Sequence, residues 1–113
     1  MSDCLFCKII NGEIPNASVY RDEQAYAFRD IQPAAPTHIL IVPNKHVSSV
    51  NAMSADDEQV IGHLFNVARQ IAAQEGLSEK GYRLIINTNA DAGQTVFHIH
   101  LHLLGGRQLE RMG

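Results

Sequence analysis

Histidine alternates with an aliphatic residue near the end of this 113-residue chain, and no other feature constrains the fold as strongly. Residues 98–104 read His-Ile-His-Leu-His-Leu-Leu. Successive side chains of a β-strand point to opposite faces, so a strand would place the three imidazoles on one face and the aliphatic residues on the other. A helix would scatter the rings, at about 100° per residue. We therefore predict a strand over residues 97–104, with Phe97 on its apolar face.

The face that carries His98, His100 and His102 is predicted to be a functional surface. A half-buried imidazole needs hydrogen-bond partners at both ring nitrogens, and three in succession are difficult to satisfy by packing alone. A ligand, a metal or water could provide the missing partners. The pattern does not choose between these three.

Composition limits the classes of protein to which the chain can belong. Its length fits one domain over residues 1–113, with about two thirds of the unfolded surface buried on folding. Hydrophobic residues make up 45%, charged residues 19%, and the net charge of −3 leaves no basic surface for nucleic acid. The longest apolar run, residues 39–43, is too short to span a membrane, and Met1-Ser2-Asp3-Cys4 does not resemble a signal peptide. We expect a cytoplasmic protein that binds neither nucleic acid nor membrane.

The remaining periodicities predict an α+β domain. Apolar residues at helical spacing indicate a short helix over residues 4–11, ended by Gly12. Ser54 as N-cap, an apolar stripe and Gly76 as the stop indicate one long helix. Five strands are predicted, over residues 18–21, 25–30, 37–43, 82–87 and 97–104, with a loop over residues 88–96. We expect a mostly antiparallel meander with the long helix on one face and residues 37–43 buried on both faces.

The triad motif and much of the remaining chain resemble the Hint branch of the histidine triad superfamily, the histidine triad nucleotide-binding proteins. The matching segments are His98-x-His100-x-His102, Phe6-x-Lys8-Ile9-Ile10, Gly12-Glu13-Ile14-Pro15, Ala27-Phe28-Arg29-Asp30-Ile31, Ala35-Pro36-Thr37-His38, Gly81-Tyr82-Arg83, Gly93-Gln94 and Gly105-Gly106-Arg107. The resemblance implies a homodimer whose sheet continues across the subunits. It also implies binding of AMP-like purine nucleotides and hydrolysis of nucleoside phosphoramidates.

The resemblance implies roles for four histidines. His100 would be the nucleophile that forms a nucleotidyl-imidazole intermediate, and His102 would contact the phosphate and help to protonate the leaving amine. His38 would serve as an orienting or proton-relay partner. His98 would complete the set, and the reaction would require no cofactor. Histidine suits nucleophilic and acid–base roles near neutral pH. The alternatives are that His100 and His102 are solvated surface residues and that His38 is a core histidine with satisfied hydrogen bonds.

The resemblance also implies the residues that bind the nucleotide. They are Asn87, Gly93, Gln94 and Thr95, with His100 and His102, for the phosphate; Asp30 and Ile31 for the ribose; and Phe6, Ile9, Phe28 and Ile31 for the base. Glycine lets backbone approach a phosphate, the Gln and Thr side chains add donors without charge, and a carboxylate can accept from both ribose hydroxyls. The four apolar residues are equally compatible with an ordinary core.

The two cysteines form one Cys-x-x-Cys unit, and Cys4, Cys7, His46 and His98 would give a Cys₂His₂ zinc set, a pattern that some bacterial histidine triad proteins share. Zinc there would be structural, because a closed four-coordinate site leaves no position for substrate. It would tie the first helix to the sheet and fix His98. The alternative is a partly buried thiol pair that packs as small hydrophobes.

Two other functions compete with hydrolysis. One is a metal-binding protein that uses His98, His100 and His102 together, although same-face Cα atoms about 6.5–7 Å apart converge poorly on one ion unless the strand bends. The other is a nucleotide-binding regulatory or scaffold protein with incidental catalysis. A homodimer would also cover an exposed sheet edge, which we expect beside the fifth strand.

Overall fold

The structure, a computed structural model, describes residues 3–112; Met1, Ser2 and Gly113 lie outside the described residues, as does the part of the N-terminal prediction that rests on them. Its elements are α1 (Leu5–Ile10), β1 (Ser18–Arg21), β2 (Ala25–Arg29), β3 (Thr37–Pro43), α2 (Glu58–Gln74), β4 (Tyr82–Ile85) and β5 (Leu101–Gly105). The predicted α+β class is confirmed. No helix among the described residues is long and apolar enough to cross a membrane.

The five strands form one sheet in the order β1-β2-β3-β5-β4, and every neighbouring pair is antiparallel. The antiparallel sheet was predicted, but a plain meander is wrong, because β5 inserts between β3 and β4. The edges are therefore β1 and β4, so the edge on the side of the fifth strand is its neighbour β4 and not the fifth strand itself. The insertion brings the triad strand next to β3, where Leu40 pairs with His102.

The last strand begins at Leu101, four residues later than predicted. Its pairing with β3 ends at Ile41, and Pro43 at the end of β3 has no N–H with which to extend the ladder. The alternation of faces nevertheless persists upstream, since Ile99 is buried in the same core as Leu101. Phe97 is 49% exposed, so its predicted place on the apolar face is wrong.

Helix α2 covers one face of the sheet, as predicted. Ser54 and Asp57 form a capping box at the preceding 3₁₀ turn. The helix ends just before Gly76, whose φ of +76° suits glycine. The main core lies between this helix and the sheet, and includes Ile39, Ile41, Ile61, Leu64, Val67, Ala68, Ile71, Ile99, Leu101 and Leu103.

Helix α1 covers part of the opposite face. Phe6 and Ile9 pack there in a smaller core with Tyr26, Phe28, Leu40 and Val42. Since β3 contributes to both cores, its predicted burial on both faces is confirmed. Strands β2 and β4 end at Arg29 and Ile85, before their predicted ends, so Asp30 and Asn87 lie in loops.

Candidate active site and metal-ligand cluster

His100 is held in one tautomer by the backbone. Its Nδ1–H donates to the carbonyl oxygen of His98 at 2.8 Å, because a carbonyl can only accept. The neutral ring therefore carries its lone pair on Nε2. Burial lowers the pKa of His100 from its ordinary value, which keeps the ring neutral at pH 7. This is the protonation state that a nitrogen nucleophile requires.

A second chain of hydrogen bonds fixes His102. The N–H of Ala34 donates to Nδ1 of His38 at 3.0 Å, so the proton of the neutral His38 ring is on Nε2. That Nε2–H donates to Nδ1 of His102 at 2.9 Å. His102 therefore keeps its own proton on Nε2. Burial, followed by the nearby His100 and His38, lowers the pKa of His102 to about 4.

The two rings complement one another. The ring centroids of His100 and His102 are 4.9 Å apart. One ring offers an Nε2 lone pair and the other an Nε2–H. A lone pair beside a proton donor can attack an electrophilic centre and protonate the group that leaves. The structure thus brings together the predicted nucleophile, its predicted partner and His38.

Asp30 lies beside this pair, in the loop after β2. Its Oδ2 is 3.5 Å from Nε2 of His38, and its Oδ1 accepts from the N–H of Gln32 at 2.8 Å. Burial lowers the pKa of His38, and the Asp30 charge partly opposes that effect. The ribose contact predicted for Asp30 stays a prediction, and a half-buried carboxylate next to the histidines is compatible with it.

The loop before the triad is shaped by its own hydrogen bonds. Gly93 has φ +93°, a conformation that L side chains rarely adopt. The Gln94 side chain is buried: its Nε2 donates to the carbonyls of Ser48 and Val96, and its Oε1 accepts from the N–H of Asn89. These bonds use the amide, so the expectation that it donates to phosphate does not fit this geometry.

The phosphate contacts predicted for Asn87, Gly93 and Thr95 stay predictions. The backbone N–H groups of Gly93 and Gln94 donate to the carbonyls of Ala90 and Asn89, at 3.0 and 3.1 Å, which leaves Thr95 as the better placed backbone donor. Thr95 is exposed, and Asn87 is half-buried just beyond the end of β4. These positions let their polar groups reach a ligand without unfolding the loop.

The predicted base-pocket residues are not all together. Phe6, Ile9 and Phe28 lie in the smaller core, whereas Ile31 is 91% exposed. The Phe6 ring meets the His100 ring edge-to-face, with centroids 5.0 Å apart and an angle of 89°. The apolar cluster therefore reaches His100, whereas Ile31 stands in solvent.

The four predicted zinc ligands converge, as predicted. Cys4 and Cys7 come from the start of α1, His46 from the segment after β3, and His98 from the segment before β5. Their four ligand atoms all lie within 4.8 Å of one another. Nδ1 of His98 is 3.3 Å from Sγ of Cys4, 3.5 Å from Sγ of Cys7 and 3.2 Å from Nδ1 of His46.

The distances suit one tetrahedral ion. Zn–N bonds of about 2.0–2.1 Å and Zn–S bonds of about 2.3 Å give ligand separations of roughly 3.3–3.8 Å in a tetrahedron. Nε2 of His98 donates to the carbonyl of Pro43 at 2.8 Å, so its Nδ1 lone pair points into the cluster. Burial lowers the pKa of His98 to about 4, which keeps this nitrogen available to a metal.

The three triad histidines do not converge on one point. Among residues 3–112, His98 groups with the cysteines and His102 groups with Asp30 and His38, while His100 belongs to neither set. Their ring nitrogens do not form one ligand set in this part of the chain. The rival metal site formed by the triad alone is therefore wrong for this structure.

One polar cluster was missed from the sequence. Asp22 accepts hydrogen bonds from Tyr20 and His63 at 2.6 Å each, and from the N–H groups of Gln24 and Ala25 at 2.7 Å. Burial alone would raise the pKa of Asp22, but these bonds outweigh it and hold the pKa far below the ordinary value. The cluster joins the turn after β1 to α2, which no local sequence signal indicates.

A cleft of about 420 Å³ opens beside the cysteine cluster. Its walls include Cys4, Leu5, His46, Thr95 and Phe97. The cluster is therefore reachable from solvent on the side of Cys4 and His46.

Comparison with known proteins adds four findings. Residues 11–109 match the family model described as the HIT domain. The chain is 56% identical over 110 residues to the purine nucleoside phosphoramidase of Escherichia coli K12, covering 97% of this chain and 92% of that protein. It superimposes on a HIT family hydrolase from Legionella pneumophila with a TM-score of 0.94 at 53% identity, covering 96% of each chain. It also superimposes on a histidine triad protein from Clostridium difficile with a TM-score of 0.95 at 42% identity, covering 100% and 98% of the two chains.

Proposed function

Because this chain belongs to the HIT domain family, we propose that it is a hydrolase that cleaves the phosphorus–nitrogen bond of purine nucleoside 5′-phosphoramidates. The observation that carries the proposal is the pair of complementary tautomers, with the lone pair of His100 next to the Nε2–H of His102. The name of the Escherichia coli relative supports the choice of substrate class.

The chemistry would proceed in two displacements at phosphorus. His100 Nε2 attacks and forms a nucleotidyl-histidine, the phosphorus–nitrogen bond breaks, and the departing nitrogen takes a proton from the Nε2–H of His102. The imidazole of His100 becomes positively charged when it carries the nucleotidyl group, which offsets the proton that the His38–His102 unit gives up. Water then attacks phosphorus, returns a proton to His102 and releases the nucleotide with His100 restored.

The surroundings of the two rings would hold an AMP-like nucleotide. Asp30 can accept from the ribose hydroxyls, and the backbone N–H and side-chain hydroxyl of Thr95 can donate to phosphate oxygens. Neutral donors suit a chain with a net charge of −3, because they bind an anion without any cationic patch. The exposed Ile31 and the apolar cluster at Phe6 would enclose the base.

The direct test is turnover of adenosine 5′-monophosphoramidate, with AMP release followed by chromatography. The proposal expects AMP in the presence of a chelator, since no step is routed through a metal. Folded protein that binds AMP but releases none from the phosphoramidate would contradict the proposal and favour the scaffold function. Binding of neither compound would contradict both.

We further propose that Cys4, Cys7, His46 and His98 hold a structural zinc ion. The Nδ1 lone pair of His98 lies 3.2 Å from Nδ1 of His46 and within 3.5 Å of both sulfurs, and this donor set suits a zinc ion. Bound zinc would hold the N-terminal part of α1 against the segments before β5 and after β3. A cytoplasmic location is part of this proposal, since a reducing compartment keeps thiols available to a metal.

We also propose a homodimer that pairs the β4 edges of two copies. Strand β4 is an edge whose four residues are all half-buried, and Leu84 packs into the main core while Ile85 does not. An apolar edge of this kind is prone to pairing unless a partner covers it. Antiparallel pairing about a two-fold axis would extend the sheet to ten strands and satisfy the unpaired backbone groups.

A further inference from the structure

We propose that the Cys4–Cys7 pair is a thiol modification site, whose oxidation to a disulfide by a hydroperoxide lowers the catalytic activity of His100. The proposal rests on the proposed function, because its consequence is read as turnover. It goes beyond that function by giving the cysteines a regulatory role in addition to metal binding.

Both residues that contact the His100 ring also lie next to the cysteine pair. The His98 carbonyl accepts from Nδ1 of His100, and the ring of the same His98 lies 3.3 and 3.5 Å from the two sulfurs. Phe6, whose ring meets His100 edge-to-face, lies between Cys4 and Cys7 on α1. A displacement of the sulfurs would therefore be passed to His100 through both His98 and Phe6.

The segment that carries His98 and His100 lies outside the strand ladder of the sheet. It precedes β5, and its backbone is anchored to the segment after β3 by the bond from the N–H of Ile99 to the carbonyl of Val47, at 2.7 Å. The position of the His98 carbonyl consequently depends on how the His98 side chain is held, by Pro43 at Nε2 and by the cysteine cluster at Nδ1.

Peroxide can reach the pair. Cys4 and His46 line the 420 Å³ cleft, and both cysteines are half-buried rather than enclosed. The N–H of Cys7 donates to Sγ of Cys4 at 3.3 Å, so the two cysteines are already in contact. The sulfurs are no more than 4.8 Å apart, so a disulfide needs only a small rearrangement of side chains.

The reaction balances with the hydroperoxide as oxidant. One thiolate attacks the peroxide oxygen, which forms a sulfenic acid and releases hydroxide. The second thiolate attacks the sulfenic sulfur, which forms the disulfide and releases a second hydroxide. The two sulfurs together lose two electrons, and the peroxide bond accepts both. A dithiol reductant reverses the process.

The disulfide would leave the two histidines of the cluster without their sulfur partners. A disulfide sulfur is a poor ligand, so a bound zinc ion would leave. The ring of His98, whose Nδ1 lies 3.3 and 3.5 Å from the two sulfurs, would lose both contacts and shift relative to α1. Movement of His98 shifts its carbonyl, and Nδ1 of His100 loses its acceptor.

The experiment treats the protein, purified without chelator, with stoichiometric hydrogen peroxide and then with catalase. We expect a mass loss of two hydrogens, release of bound zinc to a chromophoric chelator, and a fall in kcat/KM of roughly tenfold, the scale expected for a misplaced catalytic group. A dithiol with added zinc restores the activity. Disulfide formation with unchanged kcat/KM would overturn the proposal.

The matched control is the Cys4→Ser, Cys7→Ser double variant, which keeps all three methionines and all six histidines. Its kcat/KM is expected to equal that of the oxidised protein and to fall no further with peroxide. Equal inhibition of the variant by peroxide would assign the effect to another residue and refute the proposal.

A second readout separates this proposal from the proposed function. In ¹⁵N spectra of the imidazoles, we expect the Nδ1–H of His100 to be protected in the reduced protein and exchange-broadened in the oxidised protein. If the reduced protein hydrolyses no phosphoramidate, the proposed function fails, while this spectrum still decides the link between the cysteines and His100. An identical His100 signal in both states would refute the link.

Discussion

Nε2 of His38 lies 2.9 Å from Nδ1 of His102, although 64 residues separate them in the chain. The contact exists because β5 inserts beside β3, so that the two histidines lie on adjacent strands. It fixes the proton of His102 on Nε2, and in the proposed reaction it makes His38 a positioning residue.

Replacing His38 with Leu should lower kcat by about tenfold, or about 1.4 kcal/mol, with a smaller change in KM. Without the Nε2–H of His38, the proton of His102 can occupy either nitrogen, and part of the population has no donor for the leaving group. Steady-state kinetics with adenosine 5′-monophosphoramidate check this. The His38→Gln variant retains an N–H donor and should recover part of the activity; equal activity of wild type and His38→Leu would contradict the positioning role.

The pH dependence of kcat/KM should reflect the lowered histidine pKa values. Burial depresses the pKa of His100 below 6.5 and that of His102 to about 4, so both rings are neutral at pH 7. Protonation of His100 removes the nucleophilic lone pair, and activity therefore falls as pH decreases through its depressed pKa. We expect a plateau from about pH 6.5 to about pH 8 and a decline only below it. A half-maximal value at or above pH 6.5 would contradict this assignment.

Zinc removal should lower thermal stability. The proposed metal would join three separate segments, so its binding energy would add to folding stability and be lost to a strong chelator. Purified protein should contain about one equivalent of zinc, and His46→Ala should contain much less. His63→Gln, which changes a histidine outside the cluster, should retain the metal. Wild-type protein that carries less than about a tenth of an equivalent, and gains no stability when zinc is added, would contradict the proposed site.

The β4 edge can be tested with a matched pair of charge substitutions. Ile85→Lys places a charge on the proposed interface and should convert a dimer to a monomer in light scattering at micromolar concentration. Val50→Lys adds the same charge at an apolar residue that is 41% exposed on a 3₁₀ turn away from β4. It should leave the dimer intact. A wild-type protein that is monomeric under these conditions would refute the proposed dimer.

The sequence predicted elements whose signals are local. Ser54 and Gly76 marked the two ends of the long helix, and the aliphatic run of β3 indicated a strand buried on both faces. The Cys-x-x-Cys spacing with His46 and His98 indicated a set of ligands that the fold does assemble. In each case a short stretch of residues carries its own physical signal.

Features that depend on the path of the whole chain could not be predicted in this way. The insertion of β5 between β3 and β4 is a choice of neighbours, and no residue on β5 encodes it locally. The alternating pattern also extended the predicted strand through Phe97, whereas pairing stops because Pro43 cannot continue the ladder. The bonds of the Gln94 amide to Ser48 and of Asp22 to His63 likewise join residues more than forty positions apart.

The central claim is that His100 becomes covalently bonded to the nucleotide during turnover. Rapid mixing with adenosine 5′-monophosphoramidate, acid-free quenching and intact-mass spectrometry should reveal an adenylyl adduct, which peptide mapping assigns to His100. His100→Gly should show no adduct and lose more than about a hundredfold in kcat, at least about 2.7 kcal/mol, while AMP still binds. An adduct on another residue, or a His100→Gly variant that retains more than about a hundredth of wild-type turnover, would contradict the account.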